Sequence, residues 1–298
     1  MKCSEPVCID GKALPCGRCL CCSINRRRLW THRLMLEAKV CIATSFLTLT
    51  YRDESVPRLK DGSQSLCKKH LQDWLKRFRK RTSPMRWRFY GIGEYGDATQ
   101  RPHYHVALFG QVSCEYGRSR YSKVQKNCCE FCDTVRDTWG HGLIDCGELN
   151  AQSAAYICGY VLKKMTKVDD VRLQGREPEF CRMSNRPGIG FDAVADVADA
   201  LLSVDADEDL VDVPNVLRHG RSCYPLGRYL KGKLREQIGR CTAVPEVVKK
   251  KMEEEMRPLR EAAFYASRSF AEVVAEVSAG EVARVEGRNR VFRGRKVL

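Results

Sequence analysis

The sequence predicts an α+β fold, in which a central antiparallel sheet has helices packed on one face and a helical region follows at the C-terminal end. Strand-like and helix-like hydrophobic patterns alternate through the first half of the chain. Two strand-like segments, 86–94 and 103–110, are separated by a segment rich in turn-forming residues, as in a β-hairpin. Residues 245–278 have the charged pattern of helices.

The individual elements follow from local patterns. Apolar residues at helical spacing predict helices over residues 29–39, 66–81 and 153–167. The second of these carries Leu71, Trp74 and Phe78 on one side and basic residues on the other. Alternating or apolar segments bounded by turn residues predict strands. These strands are, in chain order, 46–51, 86–94, 103–110 and 142–146.

Changes in composition divide the chain into four segments. They are a cysteine-rich basic segment (1–40), a core with the predicted sheet (41–170), a segment with an acidic run and a basic, aromatic part (171–240), and a helical, basic tail (241–298). We expect the end of the tail, residues 284–296, to be mobile.

The charge of the chain indicates its class of partner. The 298 residues have a formal net charge of +15. Lys and Arg neutralise phosphates and release counterions, so a nucleic acid is the expected partner, although a ribosome-like or merely soluble basic protein has a similar charge. We expect no membrane span and no signal peptide, hence a cytoplasmic protein. The 17 cysteines are then expected to be reduced or metal-bound rather than paired in disulfides.

Two histidines and one carboxylate form a candidate metal site. His103 and His105 are two residues apart in a predicted strand, so both imidazoles point to the same face. Glu94 ends the preceding strand of the hairpin and would lie beside them across the sheet. This donor set suits Mg²⁺ or Mn²⁺ with open positions for a phosphate oxygen. The alternative is a pair of structural histidines.

A candidate nucleophile follows in the predicted helix 153–167. Tyr156, Tyr160 and Lys163 share one side of this helix, with Lys164 and Lys167 at its margins, and the opposite side is apolar. A tyrosine can attack phosphorus covalently if a nearby ammonium group and a metal ion assist it. The alternative makes the tyrosines rim residues and the lysines solvated.

Basic residues close to the hairpin are candidates for phosphate contacts. Arg101 lies at the mouth of the hairpin, and Arg86 and Arg88 alternate with aromatic residues at the start of its first strand. Lys167 extends the basic side of the tyrosine helix. An exposed loop arginine without a ligand is the alternative for Arg101.

A phosphate-loop outline at residues 227–233 is rejected. Leu234 stands where Ser or Thr would have to meet Mg²⁺, and no buried strand precedes the segment. We therefore expect no ATPase activity, and a host helicase would have to unwind duplex DNA.

Two groups of cysteines have the spacing of metal ligands. Cys16, Cys19 and Cys22 form a candidate zinc knuckle before three consecutive arginines, with the fourth ligand open between Cys3, Cys8 and Cys21. An iron–sulfur cluster and free thiols are the alternatives. A second candidate site consists of Cys114, Cys129 and Cys132.

Several motifs in chain order resemble those of the HUH endonucleases, and more narrowly the rolling-circle replication initiators of microviruses on the gokushovirus branch. They are Cys16-Gly-Arg-Cys19-x-x-Cys22, Phe46-Leu-Thr-Leu-Thr50, Gly93-Glu94-Tyr95, Arg101-Pro-His-Tyr-His-Val-Ala-Leu-Phe-Gly110, Ala155-Tyr156-x-x-x-Tyr160-x-x-Lys163-Lys164, Arg186-Pro-Gly-Ile-Gly190 and Arg228-Tyr229-Leu-x-x-Lys-Leu234. The cysteine-rich loop 114–132 and the Asp-rich run 192–212 depart from the family pattern.

The resemblance implies a nuclease core on a five-stranded antiparallel sheet. It also implies metal-dependent nicking of single-stranded DNA at a phage origin, a 5′-phosphotyrosine link and strand rejoining in the cytoplasm of a bacterial host, together with the host's helicase and polymerase. A metal-dependent nuclease that uses water and a non-catalytic module that binds single-stranded DNA are the competing hypotheses.

Overall fold

The computed structural model describes residues 3–122, 124–160, 169–203 and 210–294, and for residues 160 and 292–294 the backbone alone. The strands in these residues are β1 (Val7–Ile9), β2 (Lys12–Leu14), β3 (Ala43–Thr50), β4 (Arg88–Tyr95), β5 (Pro102–Gly110), β6 (Ile144–Gly147), β7 (Phe180–Met183), β8 (Val216–His219) and β9 (Ser222–Pro225). The α-helices are α1 (Leu20–Val40), α2 (Lys68–Arg81), α3 (Glu130–Trp139), α4 (Ala151–Tyr160), α5 (Ala193–Leu202), α6 (Gly227–Gln237), α7 (Glu246–Tyr265) and α8 (Phe270–Gly294).

Five strands form the central sheet in the order β6-β3-β5-β4-β7. Every neighbouring pair is antiparallel. β4 and β5 form the predicted hairpin, and β3 pairs with β5 along its whole length. The predicted α+β fold with a five-stranded antiparallel sheet is confirmed.

Helices cover both faces of this sheet, whereas the sequence prediction placed them on one face. The reason lies in the two central strands, because the residues of β4 and β5 are buried almost without interruption instead of alternating between buried and exposed. A strand that is buried on both sides needs a packed layer on each.

The first face of the sheet packs against α2 and α3. Tyr104, Val106 and Leu108 of β5 point to this side and join a buried cluster with residues of both helices. The helical members of the cluster are Leu71, Trp74, Leu75, Phe78, Phe131, Cys132, Val135 and Trp139. Their spacing is that of amphipathic helices, which explains why α2 was predicted.

The second face of the sheet carries the histidines. Ala107 and Phe109 of β5 point to this side and pack against Leu34 of α1 and against Ile157 and Cys158 of α4. His103 and His105 have the same strand parity as these two residues, so they lie on the face that α4 covers.

The chain forms two compact units, Met1–Leu29 with Ala198–Leu298 and Trp30–Val197. The second unit contains the five-stranded sheet. In the first unit α8 packs on the β1–β2 hairpin, and α6 follows the β8–β9 hairpin. Arg235 of α6 is 2% exposed and is paired with Asp212, with Nε–Oδ1 and Nη2–Oδ2 distances of 2.7 and 2.8 Å.

The sequence predictions for single elements have mixed outcomes. The four predicted strands correspond to β3, β4, β5 and β6, with ends shifted by a few residues. Two elements, α3 and β7, were not predicted. Residues 284–294, predicted as part of a mobile tail, belong to α8. None of the helices in the described ranges combines the length and the apolar composition that a bilayer-spanning helix needs.

Candidate active site

The register of the β4–β5 hairpin assembles the three candidate metal ligands. Glu94 of β4 lies directly opposite His103 of β5, and Ile92 lies opposite His105. Because alternate residues of a strand share a face, Glu94, His103 and His105 all project toward the same side of the sheet. The third ligand therefore comes from the hairpin pairing.

The ligand atoms lie close together in a largely buried cluster. Glu94 Oε1 lies 2.8 Å from His103 Nε2 and 3.2 Å from His105 Nε2. One ligand atom from each of the three residues lies within 4.8 Å of the other two. Glu94 is 3% exposed and His105 is 5% exposed, while the side chain of His103 is 18% exposed. The cluster is thus open to solvent mainly on the His103 side.

Neighbouring groups orient both imidazoles. His103 Nδ1 donates a hydrogen bond to the carbonyl oxygen of Arg101 at 3.1 Å, and His105 Nδ1 lies 3.0 Å from Thr48 Oγ1. Histidines that bind metals commonly use their second nitrogen in this way, which directs the first nitrogen toward the metal. Burial lowers the pKa of His103, but the hydrogen bonds with Glu94 and the Arg101 carbonyl outweigh it and raise this pKa above its ordinary value.

The donor set fits a divalent cation. The second carboxylate oxygen of Glu94, Oε2, is buried and has no hydrogen-bond partner among the described residues. A buried charged oxygen without a partner is costly, and a cation would offset that cost. Two imidazoles and one carboxylate with open positions suit Mg²⁺ or Mn²⁺.

Aromatic contacts connect the cluster to α4. The ring of Phe46 in β3 stacks on His105, with centroids 5.3 Å apart and planes at 20°. The ring of Tyr156 meets both rings edge-on, at 5.4 Å from His105 and 6.1 Å from Phe46. The candidate nucleophile predicted from the sequence thus packs beside the candidate metal ligands.

The start of α4 is fixed by a reciprocal cap. Asn150 Oδ1 accepts hydrogen bonds from the backbone N–H groups of Gln152 and Ser153 at 2.9 and 3.0 Å. Ser153 Oγ in turn accepts one from the Asn150 N–H at 2.8 Å. Such a cap satisfies N–H groups that the first helical turn leaves unpaired. Ile157 is fully buried and Tyr156 is 46% exposed, so the helix turns the tyrosine toward the solvent-facing edge of the cluster.

The other predicted residues of this helix are described in part or not at all. Tyr160 is the last described residue of α4, one turn beyond Tyr156, and its side chain lies outside the described residues. Lys163, Lys164 and Lys167 lie outside the described residues altogether.

The predicted phosphate contacts differ in how they are bound within the fold. Arg101 Nη1 donates to Asp53 Oδ1 at 2.6 Å and Arg101 Nη2 donates to the Tyr51 carbonyl at 2.7 Å, which holds this side chain at the mouth of the hairpin. Its side chain is 32% exposed. Arg101 therefore keeps a partly accessible guanidinium near His103.

Arg88 and Arg86 have opposite surroundings. Arg88 pairs with Glu37, whose side chain is fully buried, and also donates to the Pro187 carbonyl at 3.0 Å. Arg86 is exposed and lines a surface cavity of about 600 Å³ together with Arg79 and Arg186. Arg88 is thus engaged inside the fold, whereas Arg86 is available to a ligand in solution.

The N-terminal cysteines form a four-membered cluster. Cys3 joins Cys16, Cys19 and Cys22, and their sulfur atoms all lie within 4.8 Å of one another. Cys3 Sγ and Cys19 Sγ are 3.7 Å apart. Burial raises the pKa of Cys19, but hydrogen bonds from Ser4 and from the Cys22 backbone lower it to about 6. Of the three candidates for the fourth position, Cys3 is the one that the fold brings to the cluster, and the set suits Zn²⁺.

Sequence reasoning missed Phe46, Thr48 and Cys3 as parts of these sites. Phe46 and Thr48 lie on β3 opposite Ala107 and His105, so both point to the face of the histidines. The alternation within residues 46–50 contained that signal, but the partner strand and its register could not be read from it.

The chain is similar to known replication proteins of phages. Residues 44–165 match the family model of the replication-associated protein ORF2. The replication-associated protein VP4 of Bdellovibrio phage phiMH2K is 33% identical over 168 residues, which cover 53% of this chain and 50% of that protein. The replication-associated protein ORF2 of Spiroplasma virus 4 is 30% identical over 188 residues, covering 61% of this chain and 58% of that protein.

A third relative is the replication-associated protein ORF4 of Chlamydia phage 1, which is 27% identical over 157 residues, covering 51% of this chain and 38% of that protein. The chain thus spans about half the length of the curated relatives it matches. No solved structure matches the chain significantly. The resemblance to microvirus replication proteins is confirmed, and the matched range contains Glu94, His103, His105 and Tyr156.

Proposed function

We propose that this chain, whose residues 44–165 match the model of a replication-associated protein family, nicks and rejoins single-stranded DNA with a tyrosine as nucleophile. The observation that carries the proposal is the position of Tyr156, whose ring lies 5.4 Å from that of His105. A phenol half exposed beside a buried group of metal ligands suits attack on a phosphodiester bound there.

Glu94, His103 and His105 would hold a divalent cation, Mg²⁺ or Mn²⁺, and this ion when bound would supply positive charge to the phosphate oxygens. Thr48 and the Arg101 carbonyl keep the two imidazoles in position. The Arg101 guanidinium, held at the mouth of the hairpin, would contact a neighbouring phosphate and align the strand.

In the nicking step the Tyr156 oxygen attacks phosphorus. A bond forms between that oxygen and phosphorus, and the bond between phosphorus and the 3′ oxygen of the preceding nucleotide breaks. The phenol gives up its proton and the leaving 3′ oxygen takes one from solvent, so the products are a 5′-phosphotyrosine and a free 3′-hydroxyl.

Rejoining is the reverse reaction. A 3′-hydroxyl attacks the phosphotyrosine, the bond from phosphorus to the tyrosine oxygen breaks, and the phenol regains a proton. Tyr160, one helical turn further on, would act as the second nucleophile, and Lys163 and Lys164 would orient the phenols or support the leaving oxygen. Two tyrosines permit two successive transfers, which ends rolling-circle replication.

The setting of this reaction is part of the proposal. The strand cut would be a phage origin in the cytoplasm of a bacterial host. A helicase and a polymerase of the host would open the duplex and extend the free 3′-hydroxyl, because the sequence offers no nucleotide-hydrolysing motif of its own.

The test uses overlapping single-stranded oligonucleotides that cover the genome encoding this chain, each labelled at the 5′ or the 3′ end. With Mn²⁺ present, we expect one oligonucleotide to be cut. Its 3′-labelled fragment should migrate with the protein after boiling in SDS, and its 5′-labelled fragment should be free and extendable by a polymerase.

The competing functions give different results in the same experiment. If water is the nucleophile, both fragments migrate free of protein, and the Tyr156→Phe/Tyr160→Phe double variant still cuts. If the chain is a non-catalytic binding module, all oligonucleotides stay intact, and EDTA and His103→Ala leave binding unchanged. Either result would refute the proposal.

A further inference from the structure

A loop between β5 and α3 carries a second group of cysteines outside the candidate active site. Residues 111–129 contain no strand or helix in their described part, yet they lie against the edge strand β6. The Ser119 N–H donates to the Cys146 carbonyl at 2.8 Å, and the Cys146 N–H donates to Ser119 Oγ at 3.0 Å. Arg118 also pairs with Asp145 at 3.2 Å.

Loops of this length without regular structure are uncommon in compact domains unless something fastens them. Here four cysteines meet where the loop joins α3. Cys114, Cys128, Cys129 and Cys132 have sulfur atoms that all lie within 4.8 Å of one another. Cys114 Sγ is 4.0 Å from both Cys128 Sγ and Cys129 Sγ.

These distances match those of a metal–thiolate site. A tetrahedral zinc ion with Zn–S bonds of about 2.3 Å has sulfur atoms roughly 3.8 Å apart. A disulfide would need a sulfur separation of about 2.05 Å. Cys114, Cys129 and Cys132 are buried, and Cys128 is partly buried, so the group is shielded from solvent.

The backbone around the cysteines supports thiolates. The Arg120 N–H donates to Cys128 Sγ at 3.3 Å. Cys129 is the N-cap of α3 and makes no side-chain cap hydrogen bond, so its sulfur remains beside the positive end of the helix. Cys129 and Cys132 are three residues apart at this end, which is common spacing for zinc ligands.

We propose that Cys114, Cys128, Cys129 and Cys132 bind one Zn²⁺ ion that fastens the loop 111–129 to the start of α3. Binding displaces the thiol protons to solvent, and no oxidant or reductant is involved. The ion is structural, because four sulfur ligands leave no open position for a substrate. This site is separate from the candidate active site, so it does not depend on the proposed function.

Zinc content and X-ray absorption of full-length variants test this proposal. In the Cys16→Ser/Cys19→Ser variant, which lacks the N-terminal cluster, we expect one tightly bound zinc ion per chain with four sulfur neighbours. Cys129→Ser/Cys132→Ser should contain one zinc ion fewer than the wild type. The control, Cys223→Ser/Cys241→Ser, changes two exposed cysteines outside both clusters and should keep the wild-type zinc content.

Differential alkylation of the wild-type chain covers the case in which a variant does not fold. Cys114, Cys128, Cys129 and Cys132 should resist alkylation in the zinc-loaded protein and react together once a chelator is added. Cys158, which is buried in another part of the core, should react at the same rate with and without chelator. Reaction of the four cysteines that is independent of the chelator, or a disulfide between any two of them, would overturn the proposal.

Discussion

The ring of Tyr156 meets the imidazole of His105 edge-on, with centroids 5.4 Å apart and planes at 77°. Edge-to-face contacts of this kind are favourable and fix the position of a ring without its hydroxyl group. Tyr156 is nevertheless 46% exposed. The contact can therefore hold the phenol beside the candidate metal ligands while its oxygen stays accessible to DNA.

The first prediction separates the tyrosine oxygen from the tyrosine ring. In Tyr156→Phe/Tyr160→Phe the ring contact with His105 is retained and both oxygens are lost. We expect the rate of covalent adduct formation to fall by more than about 10³-fold, as when other enzymes lose their nucleophile. Binding of single-stranded DNA, measured by fluorescence anisotropy, should change less than about 3-fold, since these oxygens are surface groups.

Tyr116→Phe is a matched control for this pair. Tyr116 is 45% exposed, close to the exposure of Tyr156, and lies in the loop after β5. Its loss should leave adduct formation unchanged. A double variant at positions 156 and 160 that still forms the adduct would remove both tyrosines from the proposed reaction.

The second prediction concerns the buried carboxylate. Glu94→Gln keeps the shape of the side chain and removes its charge, so we expect the affinity for Mn²⁺, measured by isothermal titration calorimetry, to fall at least about 10-fold. Cutting should fall with it. EDTA should abolish cutting by the wild type, and added Mn²⁺ or Mg²⁺ should restore it.

Glu177→Gln is the control for Glu94→Gln. The side chain of Glu177 is 48% exposed and pairs with Lys68 on the protein surface at 2.8 Å. This variant should bind Mn²⁺ as the wild type does. Equal Mn²⁺ affinity of Glu94→Gln and the wild type would exclude Glu94 as a ligand.

The third prediction tests the two faces of β5. Tyr104 lies between the histidines in sequence, but its hydroxyl is on the opposite face, 2.7 Å from Tyr51 Oη and 2.9 Å from the Cys67 carbonyl. Tyr104→Phe leaves these buried groups without a partner, so we expect a loss of about 1–3 kcal/mol in the free energy of unfolding, measured in urea.

The affinity of Tyr104→Phe for Mn²⁺ should remain that of the wild type below the onset of unfolding. A stable variant with weakened Mn²⁺ binding would contradict the assignment of Tyr104 and the histidines to opposite faces.

The fourth prediction distinguishes two arginines that are close in sequence. Arg86 is exposed, so Arg86→Ala should weaken binding of single-stranded DNA and reduce the slope of log K against log salt by about 0.7 if one phosphate contact is lost. Arg88→Ala leaves the buried Glu37 carboxylate without its ion pair, so it should lower the free energy of unfolding by about 3–5 kcal/mol.

Salt titrations and urea unfolding on both variants check this distinction. The reverse pattern, in which Arg86→Ala unfolds easily and Arg88→Ala mainly loses DNA affinity, would show that the paired guanidinium leaves Glu37 to bind DNA.

Local patterns were sufficient for the central hairpin and for most of the sheet. The alternation in residues 46–51 and the turn residues between 94 and 102 predicted β3 and the β4–β5 pair, because these elements depend on nearby residues. They also predicted that His103 and His105 share a face. Pairing in the hairpin then brought Glu94 to them, as expected.

Features that depend on distant residues could not be predicted. Arg88 pairs with Glu37, which lies 51 residues away, and its spacing among aromatic residues suggested a DNA contact instead. β7 is a short edge strand that contains Arg182 and shows little alternation, so nothing local distinguished it from a loop.

The helix α3 is a different case, because its signal was present. Phe131, Cys132, Val135 and Trp139 are buried at helical spacing. The neighbouring cysteines and the basic loop led to an interpretation as irregular structure.

The most direct test of the central claim is mass spectrometry of the covalent DNA adduct after digestion with a protease and a nuclease. The account predicts that, in the Tyr160→Phe variant with Mn²⁺, a nucleotide is attached through its 5′ phosphate to Tyr156, and that Glu94→Gln forms no such conjugate. A nucleotide attached to any residue other than Tyr156 in that variant, or cut DNA with an unmodified chain, would contradict it.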